Sequence, residues 1–167
     1  MSDYVQSLVD QHRNTGIVVD TNLMILLFVG LFDPQQIAQF KRTKQFTKQD
    51  FELLEFILAE FSTVIVTPNI LTEVNSLSNQ LAEKIKLGGY FDVFAQGITV
   101  LDEKHFPSID LSKMSEFKLF GLTDVGILAL GRSGHLILTD DFRLSKYLGG
   151  QNIDVLNFNH LRSYLLD

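Results

Sequence analysis

Acidic side chains at four places in this 167-residue sequence have the type and the setting that metal chemistry requires. Asp20 and Asp141 follow short apolar runs, and Glu73 and Asp124 stand among apolar residues at helical spacing. Hard divalent cations prefer oxygen ligands, and carboxylates from several chain elements can together hold one or two such ions. If the fold brings these residues together, the chemistry open to them is that of a divalent-cation site.

Glu73 and Asp124 occupy unusual positions for carboxylates. Glu73 stands three residues after Ile70 and four before Leu77, so it lies within or beside the apolar stripe of a predicted helix. Asp124 precedes Ile127 by the same helical spacing. A carboxylate directed toward a core is unfavourable unless it is paired, hydrogen-bonded or bound to a metal. Each has a simpler role when taken alone: Glu73 could reach solvent from the edge of its stripe, and Asp124 could be a first-turn acid favoured by the helix dipole.

Asp20 and the pair Asp140 and Asp141 lie where two predicted strands end. Ligands of open α/β sheets bind outside the carboxyl ends of the strands. The simpler role is capping of the following helix by Asp20 or Asp141. Because strand side chains alternate between faces, Asp141 should share a side with Thr139 while Asp140 points the other way. We therefore expect Asp141 to be the principal acid of the pair.

The elements that must position these acids are alternating strands and helices. Short β-branched apolar runs predict five strands, at 16–20, 63–67, 98–101, 135–139 and 154–158. Most are apolar throughout, as expected of parallel strands covered on both faces. Helices are predicted at 51–61, 68–78, 123–131 and 144–148, the first behind a capping box at 47–50, whereas 84–120 gives the weakest signals. The predicted fold class is α/β, with a central parallel sheet of about five strands and helices on both faces.

Four segments, in order, resemble the four motifs of the PIN-domain family. They are 18–22 (VVDTN), 66–74 (VTPNILTEV), 122–130 (LTDVGILAL) and 136–142 (LILTDDF). One such motif alone is weak, but each of the four falls in its expected strand or helix, and the resemblance extends over roughly residues 16–158. It implies a central parallel sheet and an Mg²⁺- or Mn²⁺-dependent endoribonuclease that hydrolyses phosphodiester bonds of single-stranded RNA.

The resemblance also implies roles for individual residues. The catalytic and metal-binding acids, carried over by position, are Asp20, Glu73, Asp124 and Asp141. Asp140 is a further candidate metal ligand, and Asn22 and Thr139 match the polar residues that support the cluster. The family includes VapC-type toxins of toxin–antitoxin modules, so the candidate partners besides RNA are an antitoxin protein and a second copy of the chain. The segment 33–48 is longer than in compact toxin members, which leaves an RNA-processing role open.

Length and composition suit a single domain over residues 1–167, with an extra helix predicted within residues 1–15. The sequence has no cysteine and its histidines are dispersed, so thiolate sites are excluded and a zinc site or a two-histidine ribonuclease mechanism has little support. A net charge of −6 argues against tight nonspecific DNA binding but not against a cation-dependent nuclease. The longest apolar run is shorter than the ~20 residues that cross a bilayer, so we expect a cytoplasmic protein without a membrane partner.

A basic segment at 40–48 (FKRTKQFTK) contains no acid, in a chain that is acidic overall. Lys41, Arg42 and Lys44 could contact RNA phosphates, while bases stack on Phe40 or Phe46. The simpler alternative is a solvated loop that leads into a helix, which is what charge runs usually are.

Two other classes of function remain open. One is a PIN-fold RNA-binding or scaffold module without catalysis, although all four acids are present. The other is a phosphatase-like or receiver-like protein in which an Asp accepts phosphate. Phosphatases of the haloacid type carry a second Asp two residues after the first, and Asn22 stands there. A receiver carries an acidic pair near the end of the first strand and a late lysine, and neither is in place.

Overall fold

The computed structural model describes residues 3–85 and 88–165, which contain a five-stranded sheet with all strands parallel. The strands are β1 (Ile17–Val19), β2 (Val64–Val66), β3 (Asp102–Glu103), β4 (Leu136–Thr139) and β5 (Val155–Asn157). Their order across the sheet is β3-β2-β1-β4-β5. The predicted α/β class with a central parallel sheet of about five strands is confirmed.

Helices precede the sheet, connect its strands and follow it. The longer ones are α1 (Asp3–His12), α2 (Thr21–Phe32), α3 (Lys48–Leu58), α4 (Pro68–Ile85), α5 (Gly88–Ile98), α7 (Phe117–Arg132), α8 (Phe142–Gly150) and α9 (Phe158–Leu165). A short 3₁₀ helix (Pro34–Gln36) lies between α2 and α3, and the short α6 (Ser108–Leu111) lies between β3 and α7. Every residue of β1 and β4 is buried, and successive strand side chains point to opposite faces, so both faces of the central strands are covered.

Two predicted helix starts are present as local hydrogen bonds. Thr47 and Asp50 form the capping box ahead of α3, with the Asp50 amide 3.2 Å from the Thr47 hydroxyl. The Thr67 hydroxyl accepts a hydrogen bond from the Ile70 amide at 3.3 Å, and Pro68 occupies the first position of α4. The helix predicted ahead of the first strand is α1.

The prediction was wrong for the third strand. Residues 98–101 end α5 and then turn, with the Leu101 amide bonded to the Ile98 carbonyl at 3.2 Å. Strand β3 follows at Asp102 and Glu103, an edge strand whose acidic residues carry no apolar strand signal. Helix α4 also continues beyond the predicted end at residue 78, to Ile85.

Strand order reverses at β1, which has β2 on one side and β4 on the other. The chain moves from β1 outward to β2 and β3, then returns to β4 and continues outward to β5. In open parallel sheets the crevice outside the carboxyl ends of the strands, at such a reversal, is where ligands bind. The residues that follow β1 and β4, Asp20 and Asp140, border this crevice.

None of the helices within the described residues is both long enough and apolar enough to span a membrane.

Candidate active site

Asp20 lies at the centre of the crevice and is 6% exposed. Its backbone N–H donates to the Leu138 carbonyl at 3.1 Å, which continues the pairing of β1 with β4. One carboxylate oxygen accepts the Leu23 amide at 3.0 Å and thereby caps α2. The other accepts hydrogen bonds from the Thr139 hydroxyl and from the Asp140 amide, the latter at 3.0 Å. Both strands that meet at the reversal therefore fix this side chain.

Burial and the nearby Asp140 carboxylate raise the pKa of Asp20 well above its ordinary value. The hydrogen bonds from Thr139, Leu23 and the Asp140 backbone act in the opposite direction but do not offset these two effects. A carboxylate in this position is costly to ionise unless positive charge is supplied. A bound cation would supply that charge.

Asp140 lies next to Asp20 and is held from two directions. Its carboxylate accepts hydrogen bonds from Asn22 at 3.1 Å and from Gln45 at 3.2 Å. Burial raises the pKa of Asp140, and the Asp141 carboxylate contributes in the same direction. The strand ends at Thr139, so face alternation does not direct Asp140 away from the site as the sequence suggested.

Glu73 extends from α4 toward the first turn of α2, where its carboxylate accepts the Thr21 hydroxyl at 2.9 Å. Ile70 and Val74, on either side of it along α4, are fully buried. Glu73 itself is half-buried. Glu73 therefore lies at the edge of the apolar stripe of α4. Its hydrogen-bond partner, Thr21, is the residue that follows Asp20 in the chain.

Asp124 lies on α7, one turn before the buried residues Ile127 and Leu128. Burial, followed by the charges of Asp141 and Glu73, raises the pKa of Asp124 to about 6. Asp124 therefore lies within electrostatic range of both carboxylates.

A break in α7 sets the position of Asp124. Gly121 has φ 80° and ψ −178°, a conformation that glycine adopts without steric cost. A straight helix over Phe117–Arg132 would be ~24 Å long, yet the Arg132 guanidinium lies 2.5 Å from the carboxylate of Glu116, the residue just before the helix. The chain therefore turns back at Gly121, and Asp124 lies in the first turn of the second part.

Asp141 combines two roles that the sequence presented as alternatives. Its carboxylate accepts the Leu144 amide at 2.9 Å and caps α8, and its own amide donates to the Thr139 hydroxyl at 3.0 Å. The side chain is exposed, and its charge acts on both Asp124 and Asp140. A cap can therefore also belong to the acidic cluster.

The five carboxylates come from the ends of β1 and β4, from α4 and from α7, and hydrogen bonds or mutual charge effects link neighbouring members. We call this set of residues (Asp20, Glu73, Asp124, Asp140 and Asp141) the acid cluster. Its donors are all oxygens and its charges repel one another, which suits hard cations such as Mg²⁺ and Mn²⁺. As the side chains stand within residues 3–85 and 88–165, however, no group of three or more has the geometry to hold a metal ion.

Three further residues, which were not among the predicted site residues, border the acid cluster. Thr21 and Gln45 hydrogen-bond to Glu73 and Asp140. Arg143 lies 5.0 Å from the centre of the Phe120 ring, and its charge acts on Asp124 against the surrounding carboxylates. The arginine could have been suspected because it comes two residues after Asp141, but Gln45 could not, because it is distant in the chain.

In the segment 40–48, the structure rules out the suggested stacking of bases on the two aromatic residues, whereas contacts of its cations with RNA phosphates stay a prediction. Phe40 and Phe46 are 5% and 2% exposed and belong to the hydrophobic core, so neither is available to stack on a base. Lys41, Arg42 and Lys44 are exposed. These three cations, hereafter the basic triad, stand on a loop that reaches the acid cluster through Gln45.

Comparison with models of protein families, with curated proteins and with solved structures gives no match to this chain.

Proposed function

We propose that this chain is a metal-dependent endoribonuclease of the PIN type, which hydrolyses phosphodiester bonds of single-stranded RNA. The observation that carries the proposal is the position of Asp20. It lies buried at the point where strand order reverses, and Asp140 lies beside it. Glu73 accepts a hydrogen bond from Thr21, the residue that follows Asp20 in the chain. Sites at strand-order reversals bind ligands, and accumulated carboxylates there require a positive partner.

The acids of the cluster would hold Mg²⁺ or Mn²⁺, and their oxygen donors fit such ions. When bound, the ions activate water and neutralise charge on the phosphate and on the leaving oxygen. The chain's own residues orient the ligands. Thr139 and the Asp140 amide direct one oxygen of Asp20, Thr21 directs Glu73, and Asn22 directs Asp140. Outer partners of this kind set ligand orientation in metal sites.

The basic triad supports RNA as the substrate of a chain with net charge −6. Gln45 contacts Asp140 at 3.2 Å, and Thr43, with its hydroxyl 2.8 Å from the Ile37 carbonyl, is fully buried beneath the loop. The triad is thus presented beside the acid cluster on an anchored loop. Phosphates on one side of the scissile bond would meet these cations.

A non-catalytic RNA-binding or scaffold module is the second candidate. It is favoured by one observation, that no three acidic or histidine side chains among the described residues have metal-binding geometry. Within the nuclease proposal, the mutual repulsion of ionised carboxylates separates the side chains until cations draw them together. Measured cation binding decides between the two.

A cleavage assay tests the proposal. Purified protein and a labelled single-stranded RNA are incubated with Mg²⁺, with Mn²⁺ or with EDTA. We expect cleavage only with a divalent cation, and a loss of ~100-fold or more in Asp20→Asn, as for direct electrostatic catalytic groups. Glu52→Gln, at an exposed acid of α3, is the matched control. Cleavage that persists in EDTA, or at full rate in Asp20→Asn, contradicts the proposal.

We propose a cytoplasmic location, where RNA substrates are present. A toxin role would require an antitoxin partner that covers the site. It also requires growth arrest on expression of the chain alone, relieved by Asp124→Asn. Harmless expression of an active enzyme would instead assign the chain to RNA processing or turnover. Gel filtration with light scattering tests the candidate homodimer.

A further inference from the structure

A cavity of about 550 Å³ opens beside Glu73. Its walls come from the first three turns of α4, from the connection between β3 and α6, and from the residues of α7 just after Gly121. Leu77, Phe106 and Leu122 provide apolar surface, and hydroxyl and amide side chains surround it. The volume is within the roughly 300–1,000 Å³ of sites that enclose small molecules.

We propose that this cavity binds one base of single-stranded RNA, next to the bond held at the acid cluster, and thereby sets a nucleotide preference. The preference rests on the nuclease function proposed above, whereas binding of the base does not.

The chemistry of the walls favours an uncharged aromatic group over a phosphate. The described lining contains no lysine or arginine, and the carboxylate of Glu73 repels an anion. Phe106 and His105 offer aromatic surface, and bases of single-stranded RNA are commonly bound by stacking on such side chains. Thr72 and Ser76, exposed on one face of α4, can form hydrogen bonds with the edge of a base.

The cavity and the basic triad adjoin different members of the acid cluster. Glu73 belongs to both the cavity and the cluster, and Thr123, in the cavity wall, precedes Asp124. The loop that carries the basic triad instead contacts the cluster at Asp140, through the hydrogen bond donated by Gln45. An RNA strand would therefore pass from cationic contacts with its phosphates, across the cluster, to a pocket for one base.

The first test measures binding of nucleosides, which carry no phosphate and so avoid repulsion by the acids. Adenosine, guanosine, cytidine and uridine are titrated into the parent, Ser76→Phe and Asn75→Phe by NMR. Ser76→Phe places an aromatic ring in the wall of the cavity and obstructs part of it, whereas Asn75→Phe places the same ring at an exposed α4 position outside the lining. We expect at least one nucleoside to bind the parent and Asn75→Phe alike, and at least tenfold more weakly to Ser76→Phe. No binding, or equal binding by all three proteins, overturns the proposal.

The second test measures cleavage of RNA hexamers that differ in the base on either side of one scissile bond. We expect a preference of tenfold or more at one position, reduced in Ser76→Phe and retained in Asn75→Phe. Cleavage with the same preference in both variants overturns the cavity proposal and leaves the nuclease proposal intact. Nucleoside binding that Ser76→Phe removes, in a protein that cleaves no RNA, supports the base site and refutes the nuclease.

Discussion

Thr139 donates its hydroxyl hydrogen to the carboxylate of Asp20 across the two strands that meet where strand order reverses. This bond lowers the pKa of Asp20, against the effects of burial and of Asp140. The same hydroxyl accepts the Asp141 amide at 3.0 Å, so one buried side chain connects two acids of the cluster.

We expect Thr139→Val, which keeps the shape and removes the hydroxyl, to raise the pKa of Asp20 further. Asp20 must be ionised to bind a cation, so the acidic limb of the kcat/KM–pH profile should move to higher pH. Activity at pH 7 should fall by ~10-fold, which is the lower end of the loss seen when an outer partner of a metal ligand is removed. Thr139→Ser should restore the parental profile. An unshifted profile in Thr139→Val would show that the hydroxyl is only structural.

Asp140 and Asp141 can be separated by one pair of variants. Asp141→Asn should keep the cap of α8, because Asn is also a good cap, and should reduce turnover sharply with little change in thermal stability. The sequence pattern, which makes Asp141 the principal acid of the pair, predicts only a few-fold loss of turnover in Asp140→Asn. Because its carboxylate lies beside Asp20, the structure now raises the expected loss for Asp140. Measurement of kcat and Tm for both variants separates the contribution of each acid to turnover from its contribution to stability. Parental turnover in Asp141→Asn would show that Asp141 does not belong to the acid cluster.

Charge reversal of the basic triad should weaken RNA binding without affecting the acid cluster. We expect the variant with Glu at Lys41, Arg42 and Lys44 to show a higher KM for RNA and a flatter dependence on salt, because fewer cations contact phosphates. The control carries the same reversals at three exposed lysines elsewhere: Lys113, Lys118 and Lys146. If both triple variants change KM equally, net charge explains the effect and the triad has no special role.

Glu116 predicts a pH-dependent contribution to stability. Hydrogen bonds donated to the Glu116 carboxylate by the Arg132 guanidinium, by its own backbone N–H and by the Tyr147 hydroxyl outweigh burial and lower its pKa to about 2, from 4.5. A lowered pKa stabilises the folded state above the unfolded-state value, and this contribution is lost as the pH falls through the folded-state value. Glu116→Gln should therefore lower Tm at pH 7, and the difference from the parent should shrink between about pH 4.5 and 2. A constant difference over that range would contradict this origin.

The acids, the parallel sheet and the starts of α3 and α4 could be predicted from the sequence because each leaves a local signal. Continuous apolar runs marked β1, β2, β4 and β5, and the capping box marked α3. The third strand could not be predicted, because an edge strand of two acidic residues forms through pairing with β2 rather than through its own composition. Phe40 and Phe46 were misassigned for a related reason, since an aromatic residue in a basic segment has the same sequence pattern whether it is buried or exposed.

The sequence by itself determined which residue types were present to form a carboxylate site, and that each acid would lie within a helix or at the end of a strand. Only the tertiary structure decided that Asp140 lies beside Asp20, that Gln45 contacts it, and that Glu73 is bonded to Thr21. The break in α7 at Gly121 and the cavity beside Glu73 were likewise revealed only by the tertiary structure. Local patterns report periodicity, caps and burial, whereas contacts between residues far apart in the chain depend on the order of the strands and on the paths of the connections between them.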